Sequence, residues 1–173
     1  MIEMIFLVLV GFGIGSTEPN FAAMVRPPAA AAVSPSDVGA NEPGAARTPE
    51  DQTPTGKFLT AGEVRPILDA TRGSWIAVRD FNGQDLLYFT HLLAWRCGLW
   101  EIRYGLNGAA PGQLFEAEPC YVDTAAPAAI KADTHLPYVT LPPGSVETVT
   151  VQLLYDDGGT DEVTFERKAI LLP

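Results

Sequence analysis

Apolar residues change their spacing several times along this chain, and each change marks a different kind of segment. Met4 to Gly15 is an uncharged run rich in Ile, Leu, Val and Phe. It is too short to cross a bilayer, which takes about 20 apolar residues. It suits the core of an export signal, with the small residues Gly15, Ser16 and Thr17 after it. The preceding Met1-Ile2-Glu3 lacks the usual positive charge, and a buried N-terminal strand is the competing reading. Residues 1–23 are therefore expected to be an export signal, or an anchor if uncleaved.

Met24 to Gly56 has no Leu, Ile or aromatic residue, and carries prolines at 27, 28, 35, 43, 49 and 54. Little apolar surface is available there to offset the entropy of ordering. A disordered Pro/Ala-rich linker over 24–56 is expected, leaving 57–173 as the folded domain.

Within that domain, Val64, Ile67 and Leu68 fall at helical spacing behind Thr60-Ala61-Gly62-Glu63. That tetrapeptide has the form of a capping box, and the pattern predicts a short helix over about 61–71. The period then becomes two. Ser74 to Phe81 reads as a strand, followed by the hairpin signal Asn82-Gly83. Leu86 to Leu93 is apolar on both faces and reads as a buried central strand, although Thr90 to Cys97 also fits a helix. Trp100, Ile102, Tyr104 and Leu106 alternate with Glu101 and Arg103, placing Trp100 and Tyr104 on the buried face with Ile102. Leu114 to Glu118 predicts a further strand, and Ala125 to Ala132 one or two helical turns. Val149, Val151, Leu153 and Tyr155 alternate with polar residues before an Asp156-Asp157-Gly158-Gly159 turn, and Val163 and Phe165 continue the alternation. Short strands separated by turn signals imply a mainly β domain. The expected architecture is an immunoglobulin-like antiparallel β-sandwich with one short N-terminal helix, or else a small β-barrel.

Composition narrows the function classes. With 173 residues and 47% hydrophobic content, full-length disorder is excluded, and 16 Gly with 15 Pro exclude a coiled coil. The net charge of −10 argues against a nucleic-acid partner and against a polybasic membrane-surface role. Membrane association is expected only through an uncleaved leader. The charge is uneven. Residues 57–103 hold six basic and five acidic groups, whereas 104–173 hold three basic and ten acidic.

Cys97 and Cys120 are the only cysteines, and in an exported domain an even pair predicts a disulfide. Their spacing does not fit zinc, and no metal or cofactor is expected. His91 and His135 are the only histidines. Neither serine of the folded domain, Ser74 or Ser145, lies in a nucleophile-elbow motif. Glu116 and Glu118 at i, i+2 would share a strand face, most simply a solvated one.

The densest unusual stretch is Trp95 to Tyr104, in which Trp, Tyr and Arg gather as they do in binding hot spots. Trp95, Arg96 and Arg103 are the expected binding residues. The leading expectation is an exported, non-catalytic binding or accessory module of a bacterial-type cell envelope. Its partner would be another envelope protein or a glycan. One alternative is an envelope hydrolase using His91 with carboxylates such as Glu116, for which the deciding feature is a carboxylate within reach of His91 in a cleft. The other is a purely structural envelope protein.

Overall fold

The computed structural model describes residues 47–173. The expected leader, 1–23, and residues 24–46 of the expected linker lie outside the described residues.

Helix α1 (Ala61–Ala70) forms where the helical spacing predicts it, and buries Ala61, Val64 and Leu68. Its N-terminal cap is not the local one. Thr60 makes no side-chain cap, and its hydroxyl instead donates to Glu63 at 3.3 Å. The first amide of the helix, on Ala61, donates to Asp156 Oδ1 at 2.8 Å, and the Gly62 amide donates to Gln52 Oε1 at 3.0 Å. The four unpaired amides of a helix start need acceptors, and here residues distant in sequence supply them. Glu63 reaches further back than a capping box does. It accepts the amides of Thr55, Gly56 and Leu59 at 2.9, 2.6 and 3.0 Å and the Thr55 hydroxyl at 2.8 Å.

Residues 47–56 thus lie against the domain through polar contacts. The Glu50 amide donates to the Asp156 main-chain oxygen at 2.8 Å, and Gln52 Nε2 donates to Asp156 Oδ1 at 2.8 Å. The expected linker boundary at 56 falls inside this hydrogen-bonded segment. Asp156 is almost completely buried, and burial pushes its carboxyl above the usual range.

Among the described residues, seven strands form two antiparallel sheets. The first has the order β1-β2-β5, from β1 (Ala77–Phe81), β2 (Gln84–Tyr88) and β5 (Tyr138–Leu141). The second has the order β4-β3-β6-β7, from β4 (Gln113–Leu114), β3 (Leu99–Leu106), β6 (Thr148–Tyr155) and β7 (Thr160–Glu166). The described residues are mainly β, with no closed barrel, so the barrel alternative is set aside. Asn82 and Gly83 both take positive φ, 52° and 73°, and close the β1–β2 hairpin as their residue types require. The β6–β7 hairpin is likewise the expected one. On β6, Val149, Val151, Leu153 and Tyr155 are buried and the residues between them are not. The inward side chains of both sheets and of α1 belong to one apolar cluster.

Several expected elements differ. A 3-10 turn at Arg72–Ser74 delays β1 to Ala77. The buried strand expected through Leu93 stops at Tyr88, and Thr90–Leu93 forms the single helical turn α2. Phe89, Leu92 and Leu93 are all buried, and a helical turn can send neighbouring Leu92 and Leu93 into one core where a strand would point them apart. The strand expected over 114–118 shrinks to Gln113–Leu114, and 125–132 forms turns without a helix. Strand β5 and the short helix α3 (Arg167–Ile170) were not foreseen.

The two sheets are tied together by charge. Asp85 on β2 is fully buried, and Arg167, just beyond β7, donates to its two carboxylate oxygens at 2.5 and 2.8 Å. The Val146 amide donates to Asp85 as well, at 3.3 Å.

Candidate functional site

The Trp/Arg stretch leads from α2 through a 3-10 turn (Arg96–Gly98) into β3. Arg96 is only 4% exposed, so it is an interior residue and not the surface contact expected from sequence. Its guanidinium donates only to main-chain oxygens. Nε reaches Glu118 at 2.6 Å and Pro119 at 3.3 Å, Nη1 reaches Leu93 at 2.8 Å and Ala128 at 2.9 Å, and Nη2 reaches Pro119 at 2.7 Å and Ala129 at 3.0 Å. The planar fork of Arg can serve several carbonyls at once, which a lysine ammonium cannot match. Burial lowers the Arg96 pKa, and the nearby Glu118 carboxylate opposes that shift.

The companions of Arg96 are also engaged. Trp95 packs edge-on against Phe58, with ring centroids 5.3 Å apart, and its buried indole N–H has no acceptor among the described residues. Arg103 donates to Glu101 at 2.6 Å, and Glu101 also takes Arg47 at 2.8 Å. A register shift between Leu99 and Glu101 leaves Trp100 half-buried, off the face it was expected to share with Ile102. The Trp100 indole N–H donates to Glu50 at 2.7 Å, with the Arg47 guanidinium 5.5 Å above the ring. Trp95, Arg96 and Arg103 are therefore neighbours in sequence with separate structural tasks.

What Arg96 organises is the segment 115–137, which carries no helix or strand. Irregular segments of this length are uncommon in compact domains, and ordered ones are often functional. The expected Cys97–Cys120 disulfide is present, with the Cα atoms 5.2 Å apart, and ties the segment to the turn that holds Arg96. Glu118, expected on a wet face, is 4% exposed. It accepts the Tyr121 hydroxyl at 2.8 Å and the Lys131 amide at 3.1 and 2.9 Å. Burial pushes the Glu118 carboxyl up, but these bonds and the nearby Arg96 outweigh it and hold the carboxyl below its ordinary value. The Lys131 ammonium lies 3.6 Å from the Tyr121 ring centroid, a cation–π contact. Val122 and Leu136 stand outward, each more than half exposed.

His91 and Glu116, paired in the hydrolase alternative, line different cavities. His91 borders one of about 410 Å³, whereas Glu116 borders one of about 350 Å³ with His135, Leu136 and Tyr138. The partner of His91 is Thr71, whose Oγ lies 2.8 Å from Nε2. The Thr71 hydroxyl proton is already donated to the Ile67 main-chain oxygen at 2.7 Å. Nε2 must therefore carry the ring proton and donate it to Thr71, leaving Nδ1 as the acceptor of the neutral ring.

No protein-family model matches this sequence, and comparisons with curated proteins and with solved structures return no match.

The sequence singles out the stretch Trp95 to Tyr104, and folding puts Arg96 in the interior. An arginine following the apolar run Leu92-Leu93-Ala94-Trp95 carried the one available signal of a buried guanidinium. All its acceptors but the Leu93 oxygen lie on residues 118–129 and come within reach only on folding.

Proposed function

We propose that this chain is an exported binding or accessory module of a bacterial-type cell envelope, built on an immunoglobulin-like sandwich. Its contact surface is the segment 115–137, and its partner is another envelope protein or a glycan. One observation carries the reading. A long irregular segment is held in a single shape by the Arg96 fork, the Cys97–Cys120 bond and the buried Glu118. Pre-ordering a loop lowers the entropy lost on binding. The disulfide and the apolar run Met4 to Gly15 support export. The hydrolase alternative gains nothing from His91, whose ring is held by Thr71.

The test is cross-linking capture from native envelope with the full chain as bait. Val122→Asp and Lys131→Glu should each reduce capture of the same partner by about tenfold, while Arg103→Ala leaves it unchanged. Equal capture by all three variants removes this surface. Loss with Arg103→Ala alone returns the site to β3.

A further inference from the structure

We propose that the cavity beside His91 binds a small ligand with an apolar body and one anionic head, an aliphatic carboxylate in chemical class, with Arg79 taking the head. This goes beyond the binding-module reading, since the cavity shares no residue with the segment 115–137.

The shape is suitable. About 410 Å³ falls within the roughly 300–1,000 Å³ usual for small-molecule sites. The body of the cavity is apolar, bordered by Trp75, Ile76, Ala77 and, at one rim, Leu172. Leu172 is held there by its own amide, which donates to the Val78 main-chain oxygen at 2.8 Å. That bond attaches the residues after α3 to the open edge of β1 and makes them part of the wall.

The electrostatics point to an anion. Arg79 is the one residue on the lining with a permanent charge; His91 beside it is half-buried, and burial lowers its pKa. In a domain with a marked excess of acidic groups, a cavity lined by a cation and no carboxylate stands apart. Most other arginines in the domain are already committed to carboxylates or carbonyls. Among the described residues no carboxylate pairs with Arg79. Its guanidinium lies 5.2 Å from the exposed Phe81 ring, which supports one face of the fork and leaves its edge N–H groups free. The hydroxyls of Ser74, Tyr88 and Thr90 add donors for a carboxylate on the same lining.

The experiment is calorimetric titration of the full chain with decanoate and, separately, with decylammonium, below their micelle concentrations. The expected result is one saturable decanoate site, at least about tenfold tighter than decylammonium. Arg79→Gln is exposed and leaves the core intact, and it should abolish the preference for the anion. Ala77→Leu adds bulk to the wall and should weaken decanoate. The proposal is overturned if decanoate does not saturate, if decylammonium binds as well, or if Arg79→Gln keeps the preference. Unchanged decanoate affinity in a folded Ala77→Leu protein also overturns it, because the ligand is then elsewhere.

Discussion

Arg96 donates its Nε–H to the main-chain oxygen of Glu118 at 2.6 Å, while the Glu118 carboxylate turns away to accept Tyr121 and the Lys131 amide. Two opposite charges close in space therefore do not form a salt bridge. Apart from the Arg96 bond to Leu93, each is occupied with the main chain or a hydroxyl of one loop, so the pair works as two ends of a single frame.

Arg96→Lys should destabilise the domain by about 3 kcal/mol. One ammonium cannot serve the carbonyls of Leu93, Glu118, Pro119, Ala128 and Ala129, and each buried oxygen left unpaired costs about 1–3 kcal/mol. Urea unfolding measures it. A loss below about 1 kcal/mol would mean that water or a loop shift replaces the fork.

Replacing both Cys97 and Cys120 with alanine should cost on the order of 3 kcal/mol, the chain-entropy figure for a crosslink across a separation of 23 residues. Combined with Arg96→Lys, the losses should sum to less than their separate values, since both devices hold the same segment. A double-mutant cycle in urea decides it. Strict additivity would show that they act independently.

Arg167→Met should cost about 3–5 kcal/mol, because it leaves the fully buried Asp85 carboxylate without its cation. The Arg167 bonds to Asp85 hold that carboxyl below its ordinary value, although burial opposes them. A depressed carboxyl stabilises the fold above its unfolded pKa and loses that contribution as pH falls through its folded value. Asp85→Asn should therefore flatten the acid limb of the stability curve below about pH 4. An unchanged limb would place the acid sensitivity elsewhere.

Glu63 is expected to govern how residues 53–59 leave the domain in acid. Burial raises its carboxyl, but bonds from the Thr55 hydroxyl and from the amides of Gly56, Leu59 and Thr55 prevail and bring it down to about 2. The segment should stay bound above the ordinary value of 4.5 and release as pH falls toward 2. Amide exchange at Thr55, Gly56 and Leu59 reports this directly. Glu63→Gln should lower the protection of these amides, relative to their intrinsic exchange rates, at neutral pH and remove its loss in acid, and identical protection profiles in the two proteins would sink the assignment.

Local signals in the chain were reliable where the physics is local. The Asn82-Gly83 turn needs only two residues that accept positive φ, and it forms. The β6–β7 hairpin needs only alternation and a turn, and it forms with the expected face buried. Leu86 to Leu93 differs from the expected strand because a mostly apolar run fits a strand or a helical turn, and burial of Leu92 beside Leu93 chooses between them. Trp100 was misread because a register shift breaks the alternation without any mark in composition.

Periodicity, turn chemistry and counting are enough for a mainly β domain, its first helix, two hairpins and a cysteine pair. It takes the folded chain to cap α1 with Asp156 and Gln52, to make Arg96 an interior fork, and to set His91 against Thr71 and not Glu116. A buried donor takes whichever acceptor folding brings within about 3 Å. That choice depends on residues tens of positions away, which no local pattern records.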